Sequence, residues 1–235
     1  MAYLEPLGIE VPMMLHGIGE PTVLEDVEID DDLTRSIMMG ISAPLHVEMM
    51  VGYGSVGVAT WLGTDGERAG SVSRGIVPVA DPDSDLGLVE GIEVSTFPVG
   101  QLVTECMRYL ADGPEWSGAP EPLVMSPELS RLIVRAIQDG DNDKLERLLE
   151  YSNLEDVPEM LVALSRVTGD AMITVGDSTA GSLMRLLQTR RGWIEMTMDT
   201  EGDLHHRART LESIEEVLLN EITKSLAGLL SREGQ

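Results

Sequence analysis

Four histidines, His16, His46, His205 and His206, and a single cysteine, Cys106, are the side chains best suited to metal binding or nucleophilic chemistry. Their spacing decides whether they can act together. His205 and His206 are adjacent in a segment that reads as a strand, where neighbouring side chains point to opposite faces, so a regular strand cannot bring both to one ion. The expectation is a solvated strand pair. Cys106 recurs at helical spacing with Val99, Leu102, Val103 and Leu110, which predicts a buried structural thiol.

Two acidic runs resemble the opening of a calcium loop. Asp139, Asp141 and Asp143 take its first, third and fifth positions and Glu150 its twelfth, but Lys144 stands where the sharp turn needs glycine. Residues 145–149 already read as helix. In the other run, Asp81, Asp83 and Asp85 are followed by Leu86 at the turn and by Ile92 where a bidentate glutamate belongs. Helix caps and solvated loop acids account for both runs.

The glycines of Gly52-Tyr53-Gly54-Ser55 and Gly57 invite a phosphate-cradle reading, but such a cradle needs a strand before it and a helix after it. A second strand follows here, so a hairpin loop is expected. Gly176-Asp177-Ser178 lacks the strand-to-helix elbow that activates a serine. No catalytic residue, metal site or cofactor is predicted, and the chain does not read as an enzyme.

What remains is a surface suited to protein contact. Met38, Met39, Met49 and Met50, with Trp61 and Trp193, form a candidate adaptable patch bordered by the charged turn Thr64-Asp65-Gly66-Glu67-Arg68. Met49, Trp61, Asp65, Glu67, Arg68 and Trp193 are the partner-binding residues this reading selects. The competing explanation is ordinary core packing of Met and Trp in amphipathic strands.

The elements that must position these residues follow from periodicity. Residues 1–28, with Pro6, Pro12 and Pro21, read as an irregular lead-in. Asp30, Asp31 and Asp32 open a short helix through Met39, since acids favour the positive end of the helix dipole. Four strands follow at 46–51, 56–62, 71–79 and 88–95 as an antiparallel meander, the second and third joined across Asp65-Gly66. Thr96 and Pro98 then start a helix running to Leu110.

After a Pro- and Gly-rich linker at 113–122, Ser126-Pro127 starts a helix that Gly140 stops, and a shorter helix follows. A helix at 158–166, strands near 171–175, 183–189, 193–199 and 204–210, and a final helix complete the chain. Ser213 and Glu216 supply that last helix with a capping box. The order helix, four strands, helix thus occurs twice, predicting half-repeats at 29–112 and 156–230, a helical connector at 123–152, and one α+β domain over 1–235.

The totals narrow the partners. Asp and Glu number 41 against 16 Lys and Arg, a formal charge of −25. Residues 1–125 carry 21 of the acids and four arginines. Such a field repels phosphate backbones and anionic headgroups, so neither nucleic acid nor membrane is an expected partner. One cysteine and the lack of any long apolar run predict a cytoplasmic protein. The charge also motivates an alternative, an acidic nucleic-acid mimic or other protein-binding inhibitor.

The chain resembles the EspG family, cytosolic chaperones of actinobacterial type VII secretion. The resemblance rests on Ile29-Asp30-Asp31-Asp32-Leu33 opening a helix, on Ser42-Ala43-Pro44-Leu45-His46-Val47-Glu48 leading into a strand, and on the meander-plus-helix unit ending near Leu110. It also rests on Arg190-Arg191-Gly192-Trp193 at a strand turn and on Leu226-Ala227-Gly228-Leu229-Leu230 in the closing helix. The resemblance implies a pseudo-two-fold α+β body whose two helix–antiparallel-meander–helix halves form a central antiparallel sheet flanked by helical bundles. It implies no catalysis and no cofactor. The implied function is to hold the exposed apolar tip of a helical, PE/PPE-like secretion substrate in solution until export, as a monomer or homodimer.

Overall fold

A computed structural model of the chain describes residues 12, 31–77, 87–177 and 181–233. The lead-in before residue 31 and the acids Asp81, Asp83 and Asp85 lie outside the described residues, apart from Pro12. The fold class is α+β. Ten strands are hydrogen-bonded in one antiparallel sheet in the order β4-β3-β2-β1-β7-β8-β9-β10-β6, with β5 also paired to β3. The strands are β1 Leu45–Tyr53, β2 Val56–Thr64, β3 Arg68–Val77, β4 Gly87–Leu88, β5 Glu93–Pro98, β6 Leu123–Met125, β7 Val167–Asp177, β8 Gly181–Thr189, β9 Gly192–Met198 and β10 Leu204–Arg209. The helices are α1 Asp31–Ser42, α2 Leu102–Met107, α3 Pro127–Asp139, α4 Asn142–Tyr151, α5 Glu159–Leu164 and α6 Leu211–Glu233.

The residues group into two compact units. The first comprises the chain up to Leu110 together with Ile173–Leu183 and α6 from Glu215. The second comprises Ala111–Met172 and Met184–Ile214.

In the first unit, β1, β2 and β3 form the predicted meander. Tyr53 pairs with Val56 across a two-residue loop whose Gly54 has φ +60, so the glycine-rich run is a tight hairpin turn. In β1, Leu45, Val47, Met49 and Val51 alternate inward and are buried, each contributing roughly 1.5–3 kcal/mol by leaving water. On the sheet face carrying Val72, the side chains of Ile37 and Ile41 from α1 meet Val72, Trp61 and Val94. Asp31 and Asp32 occupy the first turn of α1, as expected, and the helix runs on to Ser42 rather than ending at Met39.

The predicted helix start at Thr96 is not observed. Residues Glu93–Pro98 form β5, paired with β3 from Ser73↔Glu93 to Arg68↔Pro98, and the helical turns begin only after Pro98. An available sheet edge outweighs a local capping signal, and Pro98, which has no N–H to give a ladder, falls at the strand end. A turn of 3-10 helix, Val99–Gln101, leads into α2, where Leu102 and Cys106 are buried.

In the second unit, α3 begins as predicted, with Ser126 Oγ accepting the Leu129 N–H at 3.3 Å, and ends at Gly140, whose φ of +67 suits a residue without Cβ. Met125, Ile133, Met160, Leu161, Leu164 and Ile194 form its buried core, and Leu129, Leu145 and Leu148 pack against them. β6 was not expected. It pairs with β10 over the three residues Leu123–Met125, emerging from the Pro-rich linker.

The cap of α6 also differs from expectation. Thr210 Oγ1 accepts the Ser213 N–H at 3.1 Å and Ser213 Oγ accepts the Thr210 N–H at 3.0 Å, so the reciprocal box is Thr210–Ser213. The helix therefore starts at Leu211, one turn before the box read at Ser213 and Glu216.

Candidate partner-binding surface

The β2–β3 turn is built by its own side chains. Asp65 Oδ1 accepts the Glu67 N–H at 2.9 Å and the Arg68 N–H at 3.0 Å, and Thr64 Oγ1 accepts the Gly66 N–H while donating to the Arg68 carbonyl. The backbone N–H donors of Arg68 and Glu67 hold the Asp65 carboxyl below its usual 3.8. Gly66, at φ +97, takes the left-handed position of this turn. Glu67 and Arg68 are thereby aimed outward on a fixed base.

They line a groove of about 510 Å³ in the first unit. One wall is α1, with Asp32, Arg35, Ser36 and Met39; the opposite side is β5, with Thr96, Phe97 and Pro98; Ala69 lies between them. The register explains the meeting, since Arg68 pairs with Pro98 and Ala69 with Phe97. Arg35 is held by Asp32 at 3.1 Å, an exposed pair worth little in itself. The groove thus sets Met39 of α1 and Pro98 of β5 inside a rim of two carboxylates and two guanidinium groups, a composition suited to an amphipathic protein segment.

The six residues selected from sequence are not brought together. Asp65, Glu67 and Arg68 form one exposed cluster at the groove. Trp61 is half-buried against Val72. Met49 is 3% exposed and Trp193 2% exposed, so both belong to the core and neither offers contact area to a partner. Met49 is drawn in by the strict alternation of β1. Trp193 belongs to the second unit, where its carbonyl accepts the Trp116 Nε1–H at 3.0 Å.

The residues weighed for chemistry have structural roles. Asp141 caps α4, its Oδ1 accepting the Lys144 N–H at 3.0 Å, while Asp139 pairs with Arg135. Cys106 is buried, and desolvation, then the neighbouring Glu105, push its thiol up to about 12. His205 faces Asp199 at 2.8 Å and His206 points the other way. Contrary to the expected solvated pair, His206 is fully buried, because β6 and α3 cover its side of β10. Among the described residues no group of three or more His, Cys, Asp or Glu is placed to hold a metal ion.

The chain is similar to the Mycobacterium tuberculosis type VII secretion system chaperone EspG5, solved in complex with a PE25-PPE41 dimer. Identity is 11%, the match covers 95% of this chain and 83% of that one, and the TM-score is 0.49. No family model matches the chain, and no curated protein does.

Sequence reasoning set Met39 beside this turn but missed Asp32, Arg35 and Ser36 of α1 and the β5 wall. Arg35 carried a usable signal, as one of four arginines among 21 acids, but only the packing of α1 on the sheet sets it at the groove with Arg68. Among the described residues no helix is long and apolar enough to cross a membrane.

Proposed function

We propose that this chain is a cytosolic binding protein of the chaperone type, which covers the apolar tip of a helical, PE/PPE-like secretion substrate in the groove between α1, the β2–β3 turn and β5. The single observation that carries the reading is the groove itself, which sets Met39 and Pro98 within a charged rim. The motif resemblance noted above supports the same class of partner. Apolar side chains at the end of a partner helix would enter between Met39 and Pro98, and the rim charges would fix their orientation. With its strongly negative field the complex would also resist self-association.

The test is co-expression with a PE/PPE-like pair from the same organism, followed by size-exclusion chromatography. The expected result is a soluble complex with the wild-type chain and loss of that complex with Pro98→Asp, which places a carboxylate opposite Met39 in the groove. A pair that stays insoluble beside the wild-type chain, or a Pro98→Asp variant that binds as well as wild type, overturns the reading.

A further inference from the structure

His206 on β10 has no exposed surface, and both of its ring nitrogens are engaged. Nε2 lies 3.1 Å from Ser130 Oγ on α3, and Nδ1 lies 3.3 Å from the carbonyl oxygen of Leu123 on β6. A carbonyl can only accept, so Nδ1 carries the proton and donates to Leu123, while Nε2 accepts from the Ser130 hydroxyl. One neutral ring therefore fastens two consecutive elements, β6 and α3, to β10.

Among the described residues, no carboxylate faces the ring from the elements packed on it. β6 has no ionisable residue, and on α3 the groups flanking Ser130, Glu128 and Arg131, are exposed. Opposite His206 on β9 stands Met196. On β10, His205 and Arg207 alternate to the other face, where Glu195 is engaged by Arg209 at 2.6 Å. A second proton on the ring is sterically tolerable, since the Ser130 hydroxyl can turn and accept it. The charge itself is not, because it would sit in the unit's interior without a counter-ion. Burial pushes the ring's pKa down from its usual 6.5, against a smaller upward pull from the hydrogen bond to Leu123, and His205 adds to the lowering.

The two flanks of β10 are unequal. β9 holds it from Leu204↔Met198 to Arg209↔Trp193, whereas β6 holds it only over Leu204↔Met125 to His206↔Leu123. Pro122, just before β6, has no N–H to extend that ladder. Lifting β6 and the first turn of α3 is thus the least costly way to bring water to the ring.

We propose that His206 is an acid-operated latch: its neutral ring holds β6 and the start of α3 on β10, and protonation frees that edge and uncovers Met125 and Ile133. The opened form takes its proton near the ordinary value of 6.5 and the closed form only at lower pH. Opening therefore becomes easier as pH falls below about 6.5, by up to about tenfold for each pH unit.

Amide hydrogen exchange on the intact chain between about pH 7.5 and pH 5, corrected for intrinsic rates, tests this. Residues 123–130 should lose protection on acidification while β8 and α6 do not, and His206→Gln, which cannot titrate, should abolish the pH dependence. Constant protection in wild type, or the same slope in the variant, overturns the latch. Should the variant fail to fold, an NMR titration of the wild-type ring decides. A depressed midpoint that coincides with exposure of residues 123–130 supports the latch, whereas protonation without that exposure overturns it.

Discussion

Gly63 on β2 and Gly70 on β3 are cross-strand partners, and α1 rests on both. A Cβ on Gly63 would stand 2.1 Å from the Met39 carbonyl oxygen, and one on Gly70 would stand 3.0 Å from the Ser36 carbonyl oxygen. The obstacle in each case is helix backbone, which cannot step aside like a flexible side chain. Gly63→Ala should therefore destabilise the protein by about 1–3 kcal/mol, with a smaller loss for Gly70→Ala. Urea unfolding followed by circular dichroism measures both, and a neutral Gly63→Ala would show that α1 does not sit as described.

The cap of α6 makes a second prediction. Thr210→Ala removes the acceptor of the Ser213 N–H and should cost about 1 kcal/mol. Glu216→Ala should stay within about 0.5 kcal/mol, since Ser213 rather than Glu216 closes the box. Denaturation midpoints of the two variants, compared at equal slope, distinguish Thr210–Ser213 from Ser213–Glu216 as the capping pair.

Cys106 should be inert in the folded protein. With its thiol pushed up to about 12 and no exposed surface, almost none is thiolate at neutral pH. A thiol reagent in native buffer should label it only at the rate of unfolding, so labelling should accelerate with added urea. Rapid labelling without denaturant would contradict the burial.

At the β2–β3 turn, the Asp65 carboxylate accepts two N–H groups, and its pKa lies below the usual 3.8. The ionised form is thus the one that holds the turn. Its contribution is present above about pH 3.8 and is lost as pH falls through the lower folded value. Asp65→Ala should remove that dependence and loosen residues 65–68 at neutral pH, seen as faster amide exchange of Glu67 and Arg68. Unchanged exchange would place the turn's rigidity elsewhere.

The parts of the fold legible in the sequence are those governed by local rules. Ser126, Pro127 and Gly140 mark α3 because capping, a fixed φ and a left-handed stop act within a few residues. Asp65-Gly66 marks its hairpin for the same reason. What escaped depends on partners distant in sequence. Residues 93–98 became a strand because β3 offered an edge, and β6 formed because β10 did. His206 could not be recognised as buried without α3 above it. The charged corner of the candidate site, Asp65, Glu67 and Arg68, was readable from turn chemistry. Of its apolar lining only Met39 was, because Pro98 joins it through the β3–β5 pairing.

The three tryptophans are divided between the two units, with Trp61 beneath α1 in the first and Trp116 hydrogen-bonded to Trp193 in the second. Each unit thus carries a natural fluorophore. A chain with Phe at 116 and 193 would emit from Trp61 alone and follow the docking of α1, whereas Trp61→Phe would leave a signal from the second unit only. Two single-colour spectroscopic reporters are already built into the protein, with no dye required.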